Sequence, residues 1–68
     1  MKITAIYLTA LDKKLVKKAV EEYQNDNLSI GDGIWSSRKK LTLTDVRENV
    51  LYFRLLDSSG NTKVTVGL

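Results

Sequence analysis

The sequence predicts an α+β domain: one amphipathic helix packed on one face of a single four-stranded, mainly antiparallel sheet, in the order β-α-β-β-β. Three observations predict it. Residues 9–26 repeat their apolar positions with a helical period. Residues 41–68 contain three β-rich runs with a period of two, separated by turn residues. A short apolar run, residues 2–8, precedes the helix. One helix laid across one sheet is the simplest way to bury both apolar surfaces, and the chain has room for a single domain over residues 1–68.

In residues 2–8, Ile3, Ala5 and Tyr7 share one face and Ile6 and Leu8 the other. Both faces are apolar, which suits an interior strand. Thr9 has the chemistry of an N-cap, with Asp12 three residues on to complete a capping box. Leu11, Leu15, Val16, Ala19, Val20 and Tyr23 then fall on about half of the helical circumference. Lys13, Lys14, Lys17, Lys18 and Glu21 fall on the other half. The helix should end near Asn25-Asp26-Asn27, because Asn tolerates the left-handed conformation that closes helices.

Residues 28–36 leave room for one further short strand. Leu28 and Ile30 read as one extended piece, Gly31-Asp32-Gly33 as a turn, and Ile34-Trp35 as a second extended piece. Ser36-Ser37-Arg38-Lys39-Lys40 reads as a polar connection. Leu41 and Leu43 then alternate with Thr42 and Thr44. Residues 45–49 can make a tight connection to the run 50–56, whose Leu51, Phe53 and Leu55 share a face. Asp57-Ser58-Ser59-Gly60-Asn61 has the chemistry of a hairpin loop. Beyond it, Lys63, Thr65 and Gly67 alternate with Val64, Val66 and Leu68.

Composition removes several classes of chemistry. The 68 residues include no Cys and no His. Disulfides, thiolate nucleophiles and the usual zinc and iron–sulfur ligand sets are therefore excluded, as is the commonest acid–base side chain near neutral pH. Glu21 and Glu22 are adjacent on a helix and point about 100° apart, so they cannot share a proton. Asp26 and Asp32 flank a loop, where solvated acids are the ordinary case. Counted from Asn25, a calcium loop would need Gly at position 30 and Glu at 36; the sequence has Ile30 and Ser36. Gly31-Asp32-Gly33 leads into an extended segment, not into the helix N-terminus that a phosphate loop requires. Ser36 and Ser37 stand beside three consecutive cations, which argues for a solvated connection, whereas a Ser–Lys nucleophile needs a buried Lys. No enzyme, no cofactor and no metal site is expected.

No segment reaches the roughly 20 apolar residues of a membrane span. The run after Met1-Lys2 is short, interrupted by Thr4 and without a cleavage site, so a cytoplasmic protein is expected.

Eleven Lys and Arg face eight Asp and Glu, a net charge of +3. The helix sums to zero but is polarised against its dipole, with Lys13, Lys14, Lys17 and Lys18 early and most of its acids late. Pairs Lys17–Glu21 and Lys18–Glu22 would offset this weakly. The excess outside the helix is concentrated in Arg38-Lys39-Lys40.

Two functional expectations follow. The first is a small non-enzymatic protein-interaction module: a regulator, inhibitor or assembly subunit, of a kind often encoded by phages and mobile elements. One helix covers only one face of the sheet, so the other face, bearing Val50, Tyr52 and Leu56 with Ile6 and Leu8 beside it, would be apolar and would take a protein partner or a second copy. Its contacts would be Tyr52, Arg54 and Leu56. Trp35, the single Trp, is expected to plug one end of the core, and becomes a contact if exposed. The alternative is a nucleic-acid-binding protein using Arg38, Lys39 and Lys40 with the helix patch Lys13, Lys14, Lys17 and Lys18.

Overall fold

Hydrophobic alternation and turn chemistry arrange the chain, described over residues 1–68 by a computed structural model, as β1 (Lys2–Thr4), α1 (Ala10–Gln24), β2 (Gly33–Ser36), β3 (Lys39–Arg47), β4 (Val50–Asp57) and β5 (Gly60–Gly67). The α+β class and the single helix are as the sequence predicts. The sheet, however, has five strands in the order β1-β5-β4-β3-β2, every neighbouring pair antiparallel. The additional strand is the Ile34-Trp35 piece. The supposed polar connection after it is a hairpin turn at Ser37-Arg38, and Lys39 and Lys40 already belong to β3.

The first strand also differs from expectation. β1 stops at Thr4 and forms an edge of the sheet, paired only with β5. Residues 5–8 must climb from that edge to the helix start above the core, so Ile6 and Tyr7 are exposed and lie on neither face of a strand.

The helix begins where its capping chemistry dictates. Asp12 N–H donates to Thr9 Oγ1 at 3.1 Å, and Thr9 N–H donates to Asp12 Oδ2 at 3.0 Å. Leu15, Val16, Ala19 and Val20 are buried, but Leu11 is 74% exposed. A first-turn side chain leans back toward the N-terminus, here past the sheet. Asp12 takes the buried position instead, 4% exposed. At the other end, Asp26 supplies the left-handed residue with φ 61°, one position after the Asn25 cap.

Leu41, Leu43, Leu51, Phe53, Leu55, Val64 and Val66 form the sheet's side of the core, beneath Leu15, Val16, Ala19 and Val20. Leu28 closes it from the helix–β2 loop. That loop is tied down by Gly31 N–H on the Leu43 carbonyl at 2.8 Å and by Leu43 N–H on the Asp32 carbonyl at 3.0 Å. Asp32 also accepts the Ser29 N–H at 2.8 Å, so it serves its own loop and does not pair with Asp26. β3 runs on past Thr44, where a bulge shifts the register, and only Glu48-Asn49 turn the chain into β4.

Glu48 holds φ 55° in that turn. A side chain with a Cβ is strained there by about 1–2 kcal/mol. Glu48→Gly should therefore stabilise the protein by about 0.5–1 kcal/mol, part of the relief being returned as unfolded-chain entropy. A urea midpoint unchanged or lowered in that variant would contradict this account of the turn.

Candidate functional site, the open face of the sheet

The helix covers one face of the sheet and nothing in the chain covers the other. Strand alternation decides what that open face carries. Its cross-strand rows follow from the registers. Trp35, Lys40, Leu56 and Asn61 form one row; Gly33, Thr42, Arg54 and Lys63 the next. Asp45, Tyr52, Thr65 and Thr4 follow, and then Arg47, Val50, Gly67 and Lys2. The face thus presents Lys2, Lys40, Arg47, Arg54 and Lys63 against the single acid Asp45.

Local contacts shape this surface. Gly33 has no side chain, and the Lys40 stem lies across the gap: a Cβ at Gly33 would sit 2.5 Å from Lys40 Cε. The Lys40 ammonium then rests 5.3 Å from the centre of the Trp35 ring. Trp35 itself is 66% exposed, a correction to its expected place in the core. Strand alternation explains the reversal: Ile34 pairs with buried Leu41 and takes the inward position, so Trp35 must face out.

Arg54 and Lys63 stand directly opposite each other across β4 and β5, both exposed. Like charges in that relation cost stability. Beside them, Arg47 Nε donates to Asp45 Oδ2 at 2.8 Å, and the Arg47 guanidinium lies 5.7 Å from the centre of the half-buried Tyr52 ring. That hydrogen bond, with a second from the Val46 N–H, holds the Asp45 carboxyl below its ordinary range. Arg47, Tyr52, Arg54, Lys63 and Thr65 border a shallow depression of about 480 Å³.

The contacts expected for a protein partner, Tyr52, Arg54, Leu56 and Trp35, do share this face. The face is mixed and cationic, not apolar as expected: Leu8 packs against the core, Ile6 borders Asn61 and Lys63, Val50 is half-buried, and Leu56 is 44% exposed between cations.

The residues expected to contact nucleic acid are not brought together. Lys40 is on the open face. Lys39, one residue away, points to the helix side, where its Nζ donates to Asp12 Oδ1 at 2.8 Å. Arg38 sits in the β2–β3 turn. Lys13, Lys14, Lys17 and Lys18 are exposed on the helix layer, across the sheet from Lys40. Neither Lys17–Glu21 nor Lys18–Glu22 closes as an ion pair. Sequence reasoning missed Lys2, Arg47 and Lys63 as members of one surface. The alternation of Lys63 with Val64 and Val66 was the available signal, but the register joining it to Arg54 was not.

No His, Cys, Asp and Glu side chains cluster in the threes that hold a metal ion, and no helix is long and apolar enough to cross a membrane. Compared with protein-family models, with curated proteins and with solved structures, the chain matches none.

Proposed function

We propose that this chain is a non-enzymatic binding module whose working surface is the open sheet face and whose partner is an anionic macromolecule. One observation carries the reading: Lys2, Lys40, Arg47, Arg54 and Lys63 converge on that face against Asp45 alone, and Asp45 is already engaged by Arg47. The face holds more positive charge than the chain's whole excess of +3. A cationic surface of this kind raises local concentrations of anions and gives salt-dependent association. The cost of setting Arg54 opposite Lys63 is offset once an anion lies between them.

The test is retention on immobilised heparin, with two charge-matched variants. Arg54→Glu with Lys63→Glu alters the open face; Lys14→Glu with Lys17→Glu alters the helix by the same net charge. The open-face pair should elute at much lower salt than wild type, and the helix pair close to it. Equal losses would mean that only net charge matters, and the reading would fall.

A second reading, a protein partner or second copy, is favoured by a separate observation. Ile6, Tyr7 and Leu11 are 100%, 71% and 74% exposed within the short stretch around the helix start. Self-association through them would appear as a dimer by light scattering that Ile6→Ser with Leu11→Ser dissolves.

A further inference from the structure

The open face carries more than charge. Its two exposed or half-exposed aromatic rings, Trp35 and Tyr52, each have a cation at the ring: Lys40 at 5.3 Å and Arg47 at 5.7 Å. Sheet surfaces that combine aromatic rings with a cationic track are suited to unpaired bases, because every base has a face to stack and every nucleotide a phosphate to neutralise. A partner made of acidic side chains would use the cations and leave the rings without a role.

The layout supports one strand crossing both rings. Trp35 is level with Leu56 on β4, and Tyr52 lies four residues further along β4 and two strands over from β2. Strand rise and spacing place the two rings about 16 Å apart. At about 3.4 Å per stacked nucleotide, they would hold bases several nucleotides apart on one strand. Arg54 lies between them on β4, with Lys63 at its side. Leu56 supplies apolar surface between the Trp35 end and that pair.

Resting on the reading of the open face as an anion-binding surface, we infer that its partner is single-stranded nucleic acid, with Trp35 and Tyr52 as stacking platforms and Lys40, Arg47, Arg54 and Lys63 along the phosphate track. A base pair's faces are occupied by its neighbours in a duplex, so paired strands are the poorer ligand. The helix lysines take no part.

The probe is a fluorescein-labelled single-stranded oligothymidine of about eight nucleotides, read by anisotropy at low salt, beside the same length in duplex form. Binding should quench the fluorescence of Trp35, the single Trp in the chain. Trp35→Ala and Tyr52→Ala should each weaken the single strand about tenfold, and Trp35→Phe and Tyr52→Phe should recover most of it. Heparin retention should not change in any of the four. Circular dichroism confirms that each variant is folded.

Tight heparin retention with oligothymidine binding indifferent to both rings would overturn the inference and leave the anion-binding reading standing. Duplex binding as tight as the single strand would overturn it as well. Failure to bind either heparin or oligothymidine would overturn both.

Discussion

Phe53→Ala should remove about a third or more of the protein's folding free energy. Phe53 is 2% exposed at the middle of the central strand β4, opposite Leu43 on β3 and Val64 on β5, both fully buried. Removing a buried phenyl ring costs about 3–5 kcal/mol in lost transfer energy and residual cavity. A chain of 68 residues holds only about 3–10 kcal/mol in all. The chain has no Cys for a disulfide and no cluster of three metal-ligating side chains to compensate, so a single core side chain carries a large share of the total. Urea unfolding followed by far-ultraviolet circular dichroism is the measurement. Trp35 fluorescence is a poor choice, because that ring is already exposed in the folded state. Leu56→Ala, on the open face, should fall within about 0.5 kcal/mol of wild type. A loss below about 1 kcal/mol for Phe53→Ala would show that the core is not organised around β4.

The same contrast explains how much was legible in the sequence. The helix and the strands of the C-terminal half were readable because their apolar periods are long and bounded by Thr9, Gly60 and the turn residues near them. β2 was readable only as room for a short extended piece at Ile34-Trp35, because its four residues offer one inward apolar side chain, Ile34, and no period can be counted from one position. Lys39 and Lys40 looked like loop because they are charged and adjacent. In the fold, each has a place only because of a partner distant in sequence: Asp12 for Lys39, and the gap left by Gly33 for Lys40.

The candidate site failed to appear for a related reason. Its cations come from β1, β3, β4 and β5, one or two per strand, so no run of positive charge marks it. The runs that do stand out, in the helix and at residues 38–40, are split by the fold between the helix layer, the turn and the two faces of β3. Tyr52, Arg54 and Leu56 could be assigned to the uncovered face from alternation alone, since Phe53 had to face the helix. What alternation within one strand does not give is the neighbouring strand, and it is the neighbours that turn a few contacts into a cationic surface.

Asp12→Ala should lower stability by about 2 kcal/mol at pH 7, the larger effect for a residue outside the hydrophobic core. Its carboxylate bonds the Thr9 N–H with one oxygen and the Lys39 ammonium with the other, joining the start of α1 to the start of β3. The cap supplies about half of the loss, and the charged hydrogen bond the rest, reduced because the Lys39 side chain is one-third exposed and can turn to water. Burial alone would raise the Asp12 pKa, but the Lys39 and Thr9 hydrogen bonds outweigh it and hold the carboxyl below its ordinary 3.8. The folded state therefore binds this proton less readily than the unfolded chain does. Its contribution is present above about pH 4 and is lost as pH falls through the lowered folded value. Asp45, held by Arg47, and Asp57, held by Ser59, shift in the same direction and add to the same acid limb. Lys39 has the opposite sense: raised above 10.5 by Asp12, its contribution is complete below that pH and is lost only as pH climbs through the higher folded value. With no His in the chain, no side chain of ordinary pKa titrates between these limbs, so stability should be flat from about pH 5 to pH 9. Urea midpoints measured across that range and down to pH 2 test both statements. The gap between wild type and Asp12→Ala should narrow in acid as the carboxylate is protonated. Asp12→Asn, which keeps an oxygen for one of the two bonds but no charge, should fall between them. A gap that stays constant down to pH 2 would mean that Asp12 acts through its shape and not through its charge.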